Sequence, residues 1–230
     1  MATSLHPPGS ALRTILLDID GTLIDSNDAH ARAWVESLAE HGYVIRFQDV
    51  RPLIGMGGDK ILPMLTGLDG RGDDAKRIAS TRSAIFRRLL PSLQATRGAR
   101  DLLVRLQELG FELVIATSAR EEEMQAILDQ AGVADLIETG ASSGDADASK
   151  PEPDIIHAAL RKAGRPPYQA LMLGDTPYDI EAATRARVPT IAVRCGGGWS
   201  DEDLRAAAAI YDDPAHFLAQ LASSPIAPAL

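Results

Sequence analysis

The sequence contains a single cysteine, Cys195, so no disulfide can form within the chain. The lack of a disulfide framework fits a reducing compartment. No segment reaches the roughly 20 consecutive apolar residues of a transmembrane helix. Residues 1–10 have neither the charged region nor the apolar region of a signal peptide. We therefore expect a cytoplasmic protein without a membrane partner.

Positive charge is also scarce. The 23 Lys and Arg residues face 32 Asp and Glu residues, which gives a formal net charge of −9. An acidic surface repels nucleic-acid phosphates and anionic lipid, so a nucleic-acid partner is not expected. An anionic substrate would need local positive charge from a metal ion and a few Lys or Arg side chains. We expect a monomer or a weak homodimer.

Apolar residues make up 45% of the 230 positions, enough for a sizeable core. Short apolar runs alternate with helical patterns, which predicts an α/β fold. The expected core is a Rossmann-like parallel sheet with helices on both faces. The candidate strands are residues 12–19, 112–117, 170–173 and 190–193, and the candidate helices are residues 100–109, 121–131, 154–163 and 180–187.

The segment between the first two strands differs from the rest of the chain. It shows helical patterns at residues 29–40, 60–65 and 73–90, with no convincing strand between them. We therefore predict an inserted α-helical cap domain at residues 26–96. The core domain would comprise residues 12–25 and 97–222, and residues 1–11 and 223–230 would be flexible termini.

The segment D-I-D-G-T-L places Asp18 and Asp20 at the end of the first strand, on the same side of it. Two carboxylates this close need a cation or a shared proton. Mg²⁺ takes such oxygen ligands together with substrate phosphate. One aspartate would then act as a nucleophile and the other as a proton shuttle. The Thr22 hydroxyl would hold a carboxylate in place.

Three more motifs follow strands or open helices. The hydroxyl and N–H groups of Thr117 and Ser118 would bind phosphate oxygens, although a simple helix cap fits them too. Lys150 lies on a loop, as a cation for the site or as a surface lysine. Asp175 ends a strand and is a candidate metal ligand. Asp179, one turn later, would orient Lys150 or a metal-bound water.

The four motifs, in this order, resemble the haloacid dehalogenase superfamily, in its phosphoglycolate-phosphatase-like branch with an inserted helical cap. The resemblance implies a Mg²⁺-dependent phosphatase for small phosphomonoesters such as phosphoglycolate or sugar phosphates. It implies an aspartyl-phosphate on Asp18, with Asp20 as general acid and base and Lys150 as a catalytic residue. It also implies that Asp18, Asp20 through its backbone carbonyl, and Asp175 hold Mg²⁺.

The cap segment R-P-L-I-G-M-G-G-D-K spans residues 51–60. In this branch the corresponding segment faces the active site, so Arg51 and Lys60 are candidate substrate contacts, with solvated surface charges as the equal alternative. His30 and Trp34 share one helix face and are expected to pack inside the cap. Cys195 is expected to be structural.

Two alternatives share parts of this pattern. A phosphomutase of the β-phosphoglucomutase kind would carry the same core motifs. Such relatives usually show a Ser-Lys-Asn type of run after the Thr-Ser motif, whereas residues 119–121 are Ala-Arg-Glu. A non-enzymatic phospho-acceptor signalling domain also combines Mg²⁺ with an aspartate on a parallel sheet. Its acidic pair is adjacent and no cap interrupts it, so the sequence favours a phosphatase.

Overall fold

The computed structural model describes residues 12–227, so the predicted flexible segment 1–11 and residues 228–230 lie outside it. Six parallel strands form one sheet in the order β3-β2-β1-β4-β5-β6. This confirms the predicted α/β Rossmann-like fold. The strands are β1 Thr14–Leu17, β2 Glu112–Ala116, β3 Thr139–Ala141, β4 Ala170–Gly174, β5 Thr190–Val193 and β6 Ala209–Tyr211.

Helices cover both faces of the sheet and form the segment between β1 and β2. Within residues 12–227, no helix is both long and apolar enough to cross a membrane. The α-helices are α1 Asn27–Glu40, α2 Phe47–Val50, α3 Gly58–Thr66, α4 Asp73–Leu89, α5 Ala99–Glu108, α6 Glu121–Gln130, α7 Asp154–Ala163, α8 Pro177–Arg185 and α9 Pro214–Ala219. Short 3₁₀ turns occur at Arg51–Leu53, Leu90–Ser92, Ala134–Leu136, Ser143–Asp145, Pro167–Gln169 and Leu221–Ser223.

Strand β1 is buried on both faces, as expected for a central strand of a parallel sheet. Ile15 and Leu17 point into one apolar cluster, which α5, α6 and α9 complete. Leu16 points into the other, which α7 and α8 complete. Successive side chains of β1 therefore point to opposite faces of the sheet. Asp18 follows directly after Leu17, at the carboxyl end of the strand.

Helices α1 to α4 enclose a third apolar cluster, in which Trp34, Leu38 and Ile61 are buried. Two side chains of α4, Ile85 and Phe86, instead join the cluster beneath the sheet. The helical segment therefore has apolar packing of its own and is anchored on the core through α4. The predicted domain boundaries at residues 26 and 96 stay a prediction.

The chain leaves the core and returns to it through two segments that run side by side. The backbone N–H of Asp25 donates to the Gln94 carbonyl at 2.9 Å, and that of Thr96 donates to the Leu23 carbonyl at 3.0 Å. Ile24 and Ala95 form an antiparallel bridge. These two segments are called the paired linkers below.

The described part of the C-terminal tail differs from the predicted flexible segment. Ile226 is 1% exposed and packs into the core cluster beneath the sheet. The Ser224 hydroxyl is buried and donates to the Leu221 carbonyl at 2.7 Å. The described residues of this tail are therefore packed against the core through Ile226.

Candidate active site

The predicted site residues gather at one edge of the sheet. Asp18 follows β1, Thr117 follows β2 and Asp175 follows β4, and these three strands are neighbours. Lys150 reaches the same edge from the loop before α7. Ligands of open α/β sheets bind at the carboxyl ends of the strands, so the topology itself brings these distant residues together.

Lys150 lies at the centre of this group and is fully buried. Its Nζ donates to Asp18 Oδ1 and to Asp179 Oδ1, both at 2.6 Å. Burial opposes its charge, but the two carboxylates outweigh burial and hold the pKa of Lys150 above its usual value. Asp179 Oδ2 accepts from the N–H and hydroxyl of Thr176. Both oxygens of Asp179 are therefore engaged, Oδ1 by Lys150 and Oδ2 by Thr176.

The carboxylates outnumber this one ammonium. Oxygens of Asp18, Asp175 and Asp179 lie within 4.8 Å of one another, and all three residues are buried. Burial and the repulsion from Asp179 raise the pKa of Asp18 to about 7, against the attraction of Lys150. Burial and the repulsion from Asp18 and Asp179 raise the pKa of Asp175 well above its usual value. Ionisation of all three carboxylates would therefore leave negative charge that Lys150 alone does not compensate.

This donor set fits a hard divalent cation. All the clustered ligand atoms are carboxylate oxygens, which Mg²⁺ prefers. Asp179 is occupied by Lys150 and Thr176, so Asp18 and Asp175 are the side chains available to a cation. The buried Thr22 hydroxyl lies between them, 3.3 Å from Asp18 Oδ2 and 3.3 Å from Asp175 Oδ1. Its one proton serves one carboxylate at a time.

The side chain of Asp20 is not part of this carboxylate cluster. Its Oδ1 accepts from the Ser26 hydroxyl at 2.6 Å and lies 2.6 Å from His30 Nε2. Burial opposes ionisation of Asp20, but the contacts with His30 and Ser26 outweigh burial and lower its pKa. Among the residues predicted to hold the metal, Asp18 and Asp175 therefore have clustered side chains, whereas the side chain of Asp20 contacts Ser26 and His30.

His30 connects Asp20 to a further ion pair that the sequence did not indicate. Arg82 Nη2 contacts His30 Nδ1, and a guanidinium can only donate, so Nδ1 accepts and Nε2 carries the proton toward Asp20. Arg82 Nη1 also donates to both carboxylate oxygens of Glu123, at 2.6 and 2.8 Å. The chain of contacts runs from the core to α1 and α4 and back to α6. His30 also stacks on Phe86, so packing and hydrogen bonding coexist there.

A cavity of about 290 Å³ lies between the helical segment and the core. Asp18 and Asp20 line it together with Thr117 and Ser118. The Ser118 hydroxyl is buried and has no hydrogen-bond partner among the described residues. Leaving a buried hydroxyl unpaired costs about 1–3 kcal/mol, so a ligand that accepts this hydrogen bond would be favoured. The helical segment contributes apolar side chains to the lining, namely Trp34, Ile54, Met56, Ile61 and Leu62, together with charged ones.

The structure gives Arg51 and Lys60 other partners. Arg51 Nε donates to Asp28 Oδ1 at 2.7 Å, and its Nη2 contacts the Gly196 carbonyl. Lys60 Nζ lies 3.8 Å from Glu152. Neither residue is among those that line the cavity. The cations that do line it, besides Arg82, are Arg71, Lys76 and Arg120.

Two further predictions concern side chains near the site. Trp34 is 4% exposed and belongs to the apolar cluster of the helical segment, in agreement with its expected packing. Cys195 Sγ donates to the Gly21 carbonyl at 3.2 Å. Burial and the nearby Asp175 raise the pKa of this thiol to about 12. These observations fit the structural role expected for Cys195.

Comparison with known proteins places this architecture among phosphate-processing enzymes. A family model described as haloacid dehalogenase-like hydrolase matches residues 15–193, from β1 to β5. A phosphoglycolate phosphatase from Rhodospirillum rubrum is 30% identical over 212 residues, which are 87% of each chain. Pyrophosphatase PpaX from Oceanobacillus iheyensis is 28% identical over 193 residues, 84% of this chain and 86% of that one. A crystal structure of a hydrolase from Pseudomonas syringae superposes with a TM-score of 0.84 at 29% identity, covering 92% and 98% of the two chains.

Proposed function

The chain belongs to the haloacid dehalogenase-like hydrolase family, and we propose that it is a Mg²⁺-dependent phosphatase that hydrolyses small phosphomonoesters through an aspartyl-phosphate on Asp18. One observation carries the proposal: Lys150 bridges Asp18, which lines the cavity, to Asp179, with the Asp175 carboxylate beside them. The phosphatase-named relatives support the reaction class. The predicted oligomeric state and cytoplasmic location stay predictions.

In this proposal Asp18 is the nucleophile. Its carboxylate oxygen bonds to phosphorus while the bond from phosphorus to the ester oxygen breaks. Lys150 fixes the orientation of the carboxylate through its hydrogen bond to Oδ1. Mg²⁺ held by Asp18, the Asp20 backbone carbonyl and Asp175 would supply positive charge opposite the carboxylates and the phosphoryl oxygens. Thr117 and Ser118 would donate hydrogen bonds to the phosphoryl oxygens.

Asp20 serves the two proton transfers. In the first half of the reaction its protonated form gives a proton to the leaving oxygen. In the second half its carboxylate takes a proton from the water that attacks the aspartyl-phosphate. Ser26 and His30 lower the pKa of Asp20 and so favour the carboxylate, the form needed in the second half. The first half requires that Asp20 be protonated before the ester bond breaks.

The shape of the cavity supports a small substrate. Its volume of about 290 Å³ is close to the lower end of the roughly 300–1,000 Å³ found for small-molecule sites. Phosphoglycolate, sugar phosphates and pyrophosphate are therefore the first compounds to test. Pyrophosphate is an anhydride rather than an ester, so it also shows whether the leaving group must be an alcohol.

The proposal is tested by measuring phosphate release from this panel with Mg²⁺ and with a chelator. We expect release that depends on Mg²⁺ and is lost in Asp18→Asn. Asp101→Asn makes the same chemical change at an exposed position of α5 and should retain activity. Full turnover by Asp18→Asn, or no release from any compound, would contradict the proposal. Formation of a sugar-phosphate isomer without phosphate release would favour the phosphomutase alternative.

A further inference from the structure

Asn27, the first residue of α1, is not part of any motif singled out in the sequence. We propose that Asn27 is a positioning residue that fixes the carboxylate of Asp175 for the divalent cation, an inference that rests on the metal site of the proposed function. Asn27 is 1% exposed. Its Nδ2 donates to Asp175 Oδ2 at 2.8 Å and to the Gly196 carbonyl at 3.1 Å.

The two oxygens of Asp175 have different partners. Oδ2 accepts from Asn27, whereas Oδ1 lies 3.3 Å from the Thr22 hydroxyl that also faces Asp18. Asn27 therefore fixes the rotation of the carboxylate by holding one oxygen. The other oxygen stays on the side shared with Asp18, where the cation is proposed to bind.

The orientation of the Asn27 amide follows from its neighbours. Reversing the amide would place its oxygen against the Gly196 carbonyl, which can only accept, and against Asp175 Oδ2, which only accepts in the ionised form that binds a cation. In the observed orientation Asn27 Oδ1 is buried without a partner among the described residues. Leaving Oδ1 unpaired is unfavourable, and the two hydrogen bonds donated by Nδ2 offset this cost.

The backbone at Gly21 and Gly196 passes very close to this pair of side chains. A Cβ atom at Gly21 would lie 2.2 Å from both Asn27 Nδ2 and Asp175 Oδ2. A Cβ atom at Gly196 would lie 1.7 Å from Asp175 Oδ2 and 2.7 Å from Asn27 Nδ2. Glycine at these two positions therefore leaves the room that the amide–carboxylate contact occupies.

Titration calorimetry of the full chain with Mg²⁺ alone tests this inference without reference to turnover. We expect Asn27→Ala to raise the dissociation constant for Mg²⁺ about 10- to 100-fold, the range typical of residues that orient metal ligands. Asn27→Ser, a milder change that also loses the contact, should show the same direction if the alanine variant folds poorly. At saturating Mg²⁺ both variants should regain turnover.

Arg51→Ala is the matched control. Arg51 contacts the same Gly196 carbonyl but has no hydrogen bond to Asp175, so its loss should leave Mg²⁺ affinity unchanged. Parent-like affinity in both Asn27 variants would overturn the inference. An equal loss in Arg51→Ala would also overturn it, because the effect would then come from the Gly196 loop. Absence of Mg²⁺ binding by the parent protein would overturn the proposed metal site itself and this inference with it.

Discussion

The buried carboxylate of Asp18 predicts that the metal-free protein becomes less stable as the pH rises through the weakly acidic range. Burial and the repulsion from Asp179 raise its pKa from 3.8 to about 7, against the attraction of Lys150. Between these pH values the folded protein retains a proton that the unfolded chain has already released. Unfolding then releases a proton, so the free energy of unfolding falls with rising pH.

The size of the effect follows from the same pKa. The difference between 3.8 and about 7 corresponds to about 4 kcal/mol once the pH exceeds both values, and about 2 kcal/mol of it develops between pH 5 and pH 7. A domain is typically stable by only about 5–15 kcal/mol, so the effect is large. The raised pKa of Asp175 acts in the same direction. The lowered pKa of Asp20 acts oppositely, but its contribution is lost only as the pH falls below the usual aspartate range.

Urea unfolding in a chelator, at about pH 5 and about pH 7, measures this dependence. The parent protein should be less stable at the higher pH, and Asp18→Asn should show a smaller difference. Added Mg²⁺ should restore the parent protein near neutrality, because it binds the folded state. Asp101→Asn controls for the loss of one carboxylate elsewhere. The reasoning fails if the parent and Asp18→Asn show the same pH dependence in the chelator.

Three further outcomes follow from other contacts. Lys150→Met leaves two buried carboxylates without their cation and should cost about 3–5 kcal/mol in urea unfolding near neutrality. A cost unchanged at lower pH, where Asp18 is protonated, would contradict this. A double-mutant cycle of Arg82→Met and Glu123→Gln should give a coupling of about 1–3 kcal/mol in the free energy of unfolding, and additive effects would show that the pair contributes nothing. Because its pKa is about 12, Cys195 should react with a disulfide reagent at mildly alkaline pH only after unfolding; rapid labelling of the folded protein would refute this.

The central strands were predictable from the sequence because they are apolar on both faces. The predicted strands at residues 112–117, 170–173 and 190–193 lie within one residue of β2, β4 and β5. The edge strands β3 and β6 were missed, since each has only three residues, of which two are partly exposed. A segment this short becomes a strand because it pairs with a neighbouring strand. The local sequence pattern carries no information about that pairing.

The meeting of Asp18 and Lys150 could be predicted although 132 positions separate them. Both belong to motifs at strand ends or on the loops beside them, and neighbouring parallel strands end at one edge. Arg82 and Glu123 could not be predicted in this way. They lie within helices, where a charged residue usually indicates a solvent-exposed face, and their pairing depends on how α4 faces α6. Arg51 and Lys60 were expected near the substrate because of their positive charge. In the structure Arg51 pairs with Asp28, and Lys60 lies near Glu152.

The paired linkers have a consequence for how this architecture can diversify. The chain leaves the core at Ile24 and returns at Ala95, and these two residues bridge each other. The insertion is therefore joined to the core at one place, by two paired segments. The separation of those two ends is set by a backbone hydrogen-bond pair and is independent of what lies between them. Loop-closure entropy grows only slowly with the number of inserted residues. Parts of the insertion that contact neither the site nor the core can thus be lengthened, shortened or exchanged while the register of β1 is preserved. Asn27 and His30 would have to stay, because they hold Asp175 and Asp20.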